Sequence, residues 1–232
     1  MLSSGAAALG IALESGHLAA FEAYRREILE WNQRINLTAI TGDEEIAVKH
    51  FVDSIACLKA AEIPPRARLV DVGSGAGFPG IPLAILRPDL DLWLLDATRK
   101  KVEFLRHVTA ALGIAAHTVW ARAEDAGQRK DLRERFDVAT ARAVAPLGIL
   151  AEYCLPLCRV GGRVLAMKGR YASAEVGAAM RAVRLLGGRV ESVYEYELPF
   201  GAGTRAIPVI VKDKPTPRAY PRNAGTPAKK PL

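Results

Sequence analysis

The residues best able to do chemistry stand in one block, Asp71-Val72-Gly73-Ser74-Gly75-Ala76-Gly77-Phe78-Pro79-Gly80. It follows a short apolar, β-branched run, Arg68 to Val72, and precedes a helical pattern. Glycines in such a loop permit positive φ and leave no Cβ between backbone and ligand. The start of the next helix offers unpaired N–H groups. Gly75, Gly77 and Gly80 match the dinucleotide fingerprint G-x-G-x-x-G. That fingerprint brings its first glycine directly off the strand, however, and counted from Gly73 its third glycine falls on Phe78. Pro79 also stands where a pyrophosphate needs free N–H donors.

The pattern acid-x-Gly-x-Gly-x-Gly, begun at Asp71, fits without strain and resembles the first motif of class I methyltransferases. There an acidic residue near the end of strand one faces the ammonium of S-adenosylmethionine, and the glycines let its methionine part pass close to the backbone. A sulfonium cofactor has no phosphate to cradle, so an acid ahead of the glycines suits it. Asp96 closes a second apolar run, where a carboxylate accepts both ribose hydroxyls of an adenosine, with Ala97 and Thr98 beside it. After a third run comes Ala121-Arg122-Ala123-Glu124-Asp125. An acid there contacts the adenine amino group in methyltransferases; a polar helix start is the competing role.

After the fourth run lies Thr140-Ala141-Arg142-Ala143-Val144-Ala145-Pro146, where a transferred methyl should point. Amino-group methyltransferases carry Asn- or Asp-Pro-Pro-aromatic at that place, and this chain does not. Cytosine-C5 chemistry needs a nucleophilic cysteine near the site, and Cys154 falls well beyond it on an expected helix. What remains is one arginine and no obvious base. Arg142 can hold a cofactor carboxylate, an RNA phosphate or a base edge, or serve a structural salt bridge.

The elements that must position these groups follow from periodicity. In residues 1–63, Leu18, Phe21, Tyr24, Ile28, Trp31 and Ile35 make one apolar helical stripe. Thr41 and Glu44 form a capping-box signature ahead of a second amphipathic helix carrying Val48, Phe51, Val52, Ile55 and Leu58. From residue 64 to 213 strands and helices alternate. Strands are expected at Arg68–Val72, Leu92–Leu95, Ala116–Trp120, Phe136–Thr140 and Arg163–Met167. A hairpin, Arg189–Glu197 with Ala206–Val211, turns around Pro199 to Gly203. Thr98 is a candidate cap for the helix after the second strand. Strands without polar alternation imply a mostly parallel sheet covered on both faces. Such sheets bind ligands at the carboxyl ends of their strands, where strand order reverses. Residues 214–232, rich in Pro, Gly and Lys, read as an extended basic arm.

The formal charge is +7, and from Lys212 to Leu232 six basic residues face one acidic. That balance suits a polyanion such as RNA, although a solvated tail is the alternative. Three cysteines without a Cys-x-x-Cys pair argue against a disulfide framework and for a reducing compartment. Cys154 and Cys158 would share a face on a helix and are expected to be buried. Four histidines without ligand spacing predict no metal. The uncharged start, Met1 to Leu13, lacks a basic leading segment and is too short to span a membrane. A cytoplasmic protein is expected.

Taken in order, Asn36-Leu37-Thr38, Lys49-His50-Phe51-x-Asp53-Ser54, the glycine block, Asp96-x-Thr98-x-Lys100-Lys101, Arg142-Ala143, Met167-Lys168-Gly169 and Tyr220-Pro221-Arg222-x-x-Gly225-x-Pro227 form a recognisable set. From about residue 18 to 232 the chain resembles the glucose-inhibited division protein B family, also called RsmG. The resemblance implies a class I, Rossmann-like α/β fold with a seven-stranded sheet and an N-terminal helical extension. It implies S-adenosyl-L-methionine as cofactor and guanine N7 in 16S ribosomal RNA of the small subunit as target. Asp71, Gly73, Gly75, Phe78, Asp96, Ala97, Thr98, Ala123, Glu124 and Arg142 are carried over to the cofactor. Core packing competes for Phe78. Arg142 and Lys168 become positioning residues with no general base, a strand-end charge being the alternative for Lys168. Asn36, His50, Asp53 and Ser54 shape the substrate side or act as caps and buried polar groups. Lys168, Arg205 and Arg222 are candidate RNA contacts. A monomer is expected.

Overall fold

The apolar runs become seven strands of one sheet: β1 (Arg68–Val72), β2 (Asp91–Asp96), β3 (Ala116–Trp120), β4 (Phe136–Arg142), β5 (Cys158–Met167), β6 (Gly188–Leu198) and β7 (Gly203–Lys212). Residues 1–169 and 172–232 are described by the computed structural model. Strand order is β3-β2-β1-β4-β5-β7-β6. The first five strands run parallel, and β7 lies antiparallel between β5 and β6. The chain enters at β1, winds outward to β3, then returns to β4 on the other side. Strand order therefore reverses between β1 and β4, and a crevice opens at their carboxyl ends.

The helices are α1 (Leu2–Ala8), α2 (Ser15–Asn32), α3 (Asp43–Glu45), α4 (Asp53–Ile55), α5 (Cys57–Ala60), α6 (Gly80–Leu86), α7 (Arg99–Ala111), α8 (Ala123–Gln128), α9 (Leu147–Cys154), α10 (Ala172–Leu185) and α11 (Thr226–Lys229). Alternate strand residues feed two cores. Leu69, Leu92, Leu94 and Val138 pack with Phe21, Tyr24, Ile81 and Phe104 from α2, α6 and α7. Val70, Val72, Leu95 and Ala139 pack with Ala126, Leu150 and Val183 from α8, α9 and α10. Burial on both faces is why these strands read as unbroken apolar runs. Each large side chain so buried contributes about 1.5–3 kcal/mol relative to exposure.

Several local expectations change. The stretch 43–60 is not one regular helix: a π-helical turn, Ile46–Val52, separates α3 from α4. Thr41 does not cap it; Gly42 holds that position without a side-chain hydrogen bond. Thr98 stands at the start of α7, but its side chain makes no cap; its amide donates instead to Asp96 Oδ1 at 2.7 Å. Cys154 ends α9 while Cys158 begins β5, so they share no helix, and both are buried.

The C-terminal segment is docked rather than extended. Arg133 donates to Tyr220 O and Thr216 O, each at 2.8 Å. Lys212 is fully buried, with Nζ 3.1 Å from Glu134 and 2.6 Å from Leu155 O. Arg222 forms a two-pronged pair with Glu152, at 2.6 and 2.9 Å. The arginine proposed for RNA is thus already paired within the protein, with its side chain 23% exposed. Lys214, Arg218, Lys229 and Lys230 stay exposed.

Candidate active site

Two adjoining cavities open at the carboxyl edge of the sheet, on either side of the segment after β4. Val144 lines one; Arg142 and Ala143 line the other. Ala143 takes φ +56, a left-handed conformation costly for a residue with a Cβ, and this bend turns the chain between the two.

The first cavity, of about 210 Å³, is walled by Gly73, Asp96, Ala97, Ala123, Glu124 and Tyr153 together with Val72, Leu95, Ala121 and Arg122. It is small for a whole ligand, which sends the remainder of any ligand past Gly73 into the neighbouring space. Gly73 has φ +72, and a Cβ there would come within 2.8 Å of Val144. The position thus requires glycine both for its backbone and for the passage it leaves. Asp96 accepts the Gly75 amide at 2.9 Å on Oδ2 and the Thr98 amide at 2.7 Å on Oδ1. These bonds fix the carboxylate at the pocket floor and leave lone pairs for hydroxyl donors. Glu124 is 3% exposed, and its Oε1 accepts the Gly225 amide at 2.7 Å.

Asp71 does not face a ligand. It is fully buried, with Oδ2 accepting the Gly80 amide and Oδ1 the Thr140 hydroxyl, both at 3.0 Å. Its role is to tie the glycine loop to β4 and to the start of α6. Burial raises its pKa to about 6, against the opposing pull of the Gly80 and Thr140 bonds. On the other side, the Tyr24 hydroxyl of α2 donates to Ala76 O and holds the same loop.

The second cavity, of about 330 Å³, is lined by Lys49, His50, Asp53, Arg142, Met167, Lys168, Gly169 and Arg205 along with Ala143. Arg142 is its central group. Nη1 donates to Lys49 O at 3.1 Å and to Asp53 Oδ2 at 3.2 Å; Nη2 meets His50 Nδ1 at 3.1 Å. The Phe78 ring lies beneath the guanidinium, 4.6 Å from its carbon, and stacks on His50 at 4.5 Å. Three of the five N–H bonds of Arg142 thus have partners among the described residues, leaving two for a ligand.

His50 Nδ1 faces both the Arg142 guanidinium, which only donates, at 3.1 Å and Lys49 O, which only accepts, at 3.2 Å, while Nε2 lies 2.8 Å from Thr38 Oγ1. Burial first, and Arg142 second, lower the His50 pKa to about 3. Asp53 accepts the Tyr196 hydroxyl at 2.9 Å, and Arg205 Nε stands 3.7 Å away. Lys168 Nζ binds Ala145 O at 2.5 Å and Glu175 at 2.8 Å. Among the described residues, the one acid and the one imidazole lining this cavity are each already hydrogen-bonded to neighbouring groups.

The candidates therefore divide. Gly73, Asp96, Ala97, Ala123 and Glu124 converge on the first cavity; His50, Asp53, Arg142, Lys168 and Arg205 on the second. Gly75, Phe78 and Thr98 support these walls without lining them. Ser54 is fully buried, its hydroxyl donating back to His50 O at 2.5 Å. Asn36 is exposed and lines neither cavity. Thr38, Lys49, Val144, Tyr153 and Tyr196 enter the site unforeseen. Of these, Thr38 and Lys49 sat inside quoted motifs, while Tyr196 comes from β6 with no local signal. Burial raises the Cys154 thiol well above its ordinary range, which fits the exclusion of a cysteine nucleophile. A third cavity, near Gly16, Ile85 and Leu112 at the opposite edge of the sheet, is lined by apolar residues and His17.

Among the described residues there is no group of three or more His, Cys, Asp or Glu side chains placed to hold a metal, and no helix long and apolar enough to cross a membrane.

Residues 17–200 match the GidB family, described as rRNA small subunit methyltransferase G. A ribosomal RNA small subunit methyltransferase G of Symbiobacterium thermophilum is 50% identical over 238 residues, covering 100% of this chain and 97% of the relative. That of Pelotomaculum thermopropionicum is 48% identical over 232 residues, with 100% and 97% covered. Among solved structures, M. jannaschii TYW2 in complex with AdoMet aligns with TM-score 0.56 and 11% identity over 75% of this chain and 77% of that one. At that identity the likeness is one of fold, the class I methyltransferase arrangement.

Proposed function

Because the chain belongs to the rRNA small subunit methyltransferase G family, we propose that it moves the methyl group of S-adenosyl-L-methionine to N7 of a guanine in 16S RNA of the small ribosomal subunit. The observation that carries this reading is the second cavity: an arginine with two N–H groups that have no partner among the described residues, beside an acid and an imidazole already hydrogen-bonded to protein groups. Guanine N7 holds an in-plane lone pair and no proton. That pair forms the new N–C bond while the S–CH3 pair returns to sulfur, so no base is required. The work left to the protein is placement.

The cofactor supplies an electrophilic methyl on a sulfonium. Asp96 has acceptor capacity for the ribose hydroxyls, Glu124 for the adenine 6-amino group, and Gly73 leaves room for the methionine portion. Arg142, clamped on three sides, directs its remaining N–H groups at the cofactor carboxylate or at the RNA. Lys49, Lys168 and Arg205 give the cavity a cationic rim suited to phosphates flanking the target base. The protein acts as a monomer on ribosomal RNA in the cytoplasm.

The test is transfer of radiolabelled methyl to small-subunit RNA from a strain lacking the gene, followed by nucleoside digestion. Label in 7-methylguanosine is expected. Label in another nucleoside, or none on either naked RNA or subunits, would overturn the assignment.

A further inference from the structure

The ending Tyr220 to Pro227 plays no part in the reading above, yet it touches both helices that wall the first cavity. On α8, Gln128 Nε2 donates to Pro221 O at 2.7 Å, and Pro221 covers Gly127 so closely that a Cβ there would lie 2.7 Å from its ring. Arg133 Nη1 reaches both Gly127 O and Tyr220 O at 2.8 Å. On α9, Arg222 clasps Glu152, which is 1% exposed and adjoins Tyr153 of the pocket wall. Between them, Gly225 presents its amide to Glu124 at 2.7 Å. Gly225 adopts φ +80, the left-handed turn that aims this N–H, and a Cβ there would meet open space.

Glu124 is thereby held by one oxygen. Its Oε1 takes the Gly225 amide and stands 3.7 Å from Arg122, whereas Oε2 has no protein donor among the described residues. We propose that the C-terminal arm is a positioning element of the adenine pocket: by pinning Glu124 Oε1 and bracing α8 against α9, it presents Oε2 to the 6-amino group and sets the preference for adenosine over a 6-oxopurine. The proposal rests on the reading of Glu124 as the adenine acceptor, and its test separates the two.

The measurement is the dissociation constant, by titration calorimetry, of S-adenosylhomocysteine and of S-inosylhomocysteine, which carries an oxygen in place of the 6-amino group. The unaltered protein is expected to prefer the adenosyl ligand by about tenfold or more, the size of one hydrogen bond to a charged group. In Glu124→Gln the side-chain oxygen stays on Gly225, so the amide N–H faces the ligand and the preference should reverse. Two arm variants follow. Arg222→Ala with Glu152→Gln removes the clasp without leaving a buried charge unpaired. Gly225→Ala strains only the turn and leaves the rest of the arm in place. Both should keep a single cooperative melting transition and bring the preference close to one. A preference unchanged in Glu124→Gln removes Glu124 from adenine recognition, and the proposal with it. A preference altered in Glu124→Gln but intact in the arm variants overturns the role of the arm alone. Equal weakening of both ligands in the arm variants also overturns it, since bracing without orientation would do that. If the double variant does not fold, Gly225→Ala decides.

Discussion

Lowering the pH from 7 to 5 is expected to cost the folded protein about 2 kcal/mol through His50 alone. The folded pKa of His50 is lowered to about 3, by burial first and Arg142 second, from an ordinary value of 6.5. Between those values the unfolded chain binds a proton that the folded chain refuses. Stability from this group is complete above 6.5 and is lost as pH falls toward 3. Asp71 works in the opposite direction. Its folded pKa is raised to about 6 from 3.8, so the folded chain takes its proton first. The same acidification therefore returns about 1 kcal/mol. In the unaltered protein the second offsets roughly half of the first, and single variants separate them. His50→Gln retains an acceptor for Arg142 and a donor for Thr38 but cannot titrate. Asp71→Asn keeps an acceptor for Gly80 and likewise cannot titrate. Urea unfolding at the two pH values, at constant ionic strength, should show His50→Gln gaining about 2 kcal/mol relative to the unaltered protein on acidification, and Asp71→Asn losing about 1. A His50→Gln curve parallel to the unaltered one would mean the imidazole titrates as if solvated. The burial of the imidazole beside Arg142 would then be wrong.

Two further outcomes follow from the geometry. Arg142→Lys keeps the charge but cannot span Lys49 O, Asp53 and His50 at once; single-turnover methyl transfer should fall about a hundredfold with the melting temperature little changed. A variant that loses folding while its folded fraction stays fully active would return Arg142 to a structural role. Gly73→Ala places a Cβ in the passage beside Val144, 2.8 Å from its side chain, and calorimetry should find cofactor affinity reduced by about tenfold or more; unchanged affinity would put the ligand elsewhere.

Most strands were legible as short blocks of apolar, often β-branched residues, several of them ended by Gly, Pro or Asp. Arg68–Val72 and Ala116–Trp120 match residue for residue. β4 runs past Thr140 to Arg142 because Ala141 and Arg142 continue the pairing with Ala166 and Met167. The stretch 43–60 was misjudged because its apolar spacing suits an ordinary helix, and the π-helical turn has no local sequence signature. Within that turn Lys49 O and, just beyond it, Asp53 receive Arg142, a partner about ninety residues away. The arm failed for a similar reason. Pro, Gly and Lys composition describes a segment without its own core, whereas Glu152 and Glu124, which bind it, lie 70 and 101 residues upstream. Asp71 shows the same limit in one residue: its type and place were readable, but not that both oxygens would turn inward to Gly80 and Thr140.

The charge of the second cavity bears on how such a site works without a base. Methyl transfer to N7 moves one positive charge from sulfur to the purine and creates none. A pocket containing Lys49, Arg142, Lys168 and Arg205 against Asp53 alone would resist delivery of that charge to its centre. Internal pairing answers part of this, since Glu45 lies 2.5 Å from Lys49 and Glu175 2.8 Å from Lys168. The remainder calls for anions brought by the substrate. On the proposed function, phosphates flanking the target guanine would meet that need where a free base or nucleoside would not, which would make the RNA backbone part of the reacting environment as well as the means of docking. A rim rich in cations around a site whose product is itself cationic thus suits a polyanionic substrate.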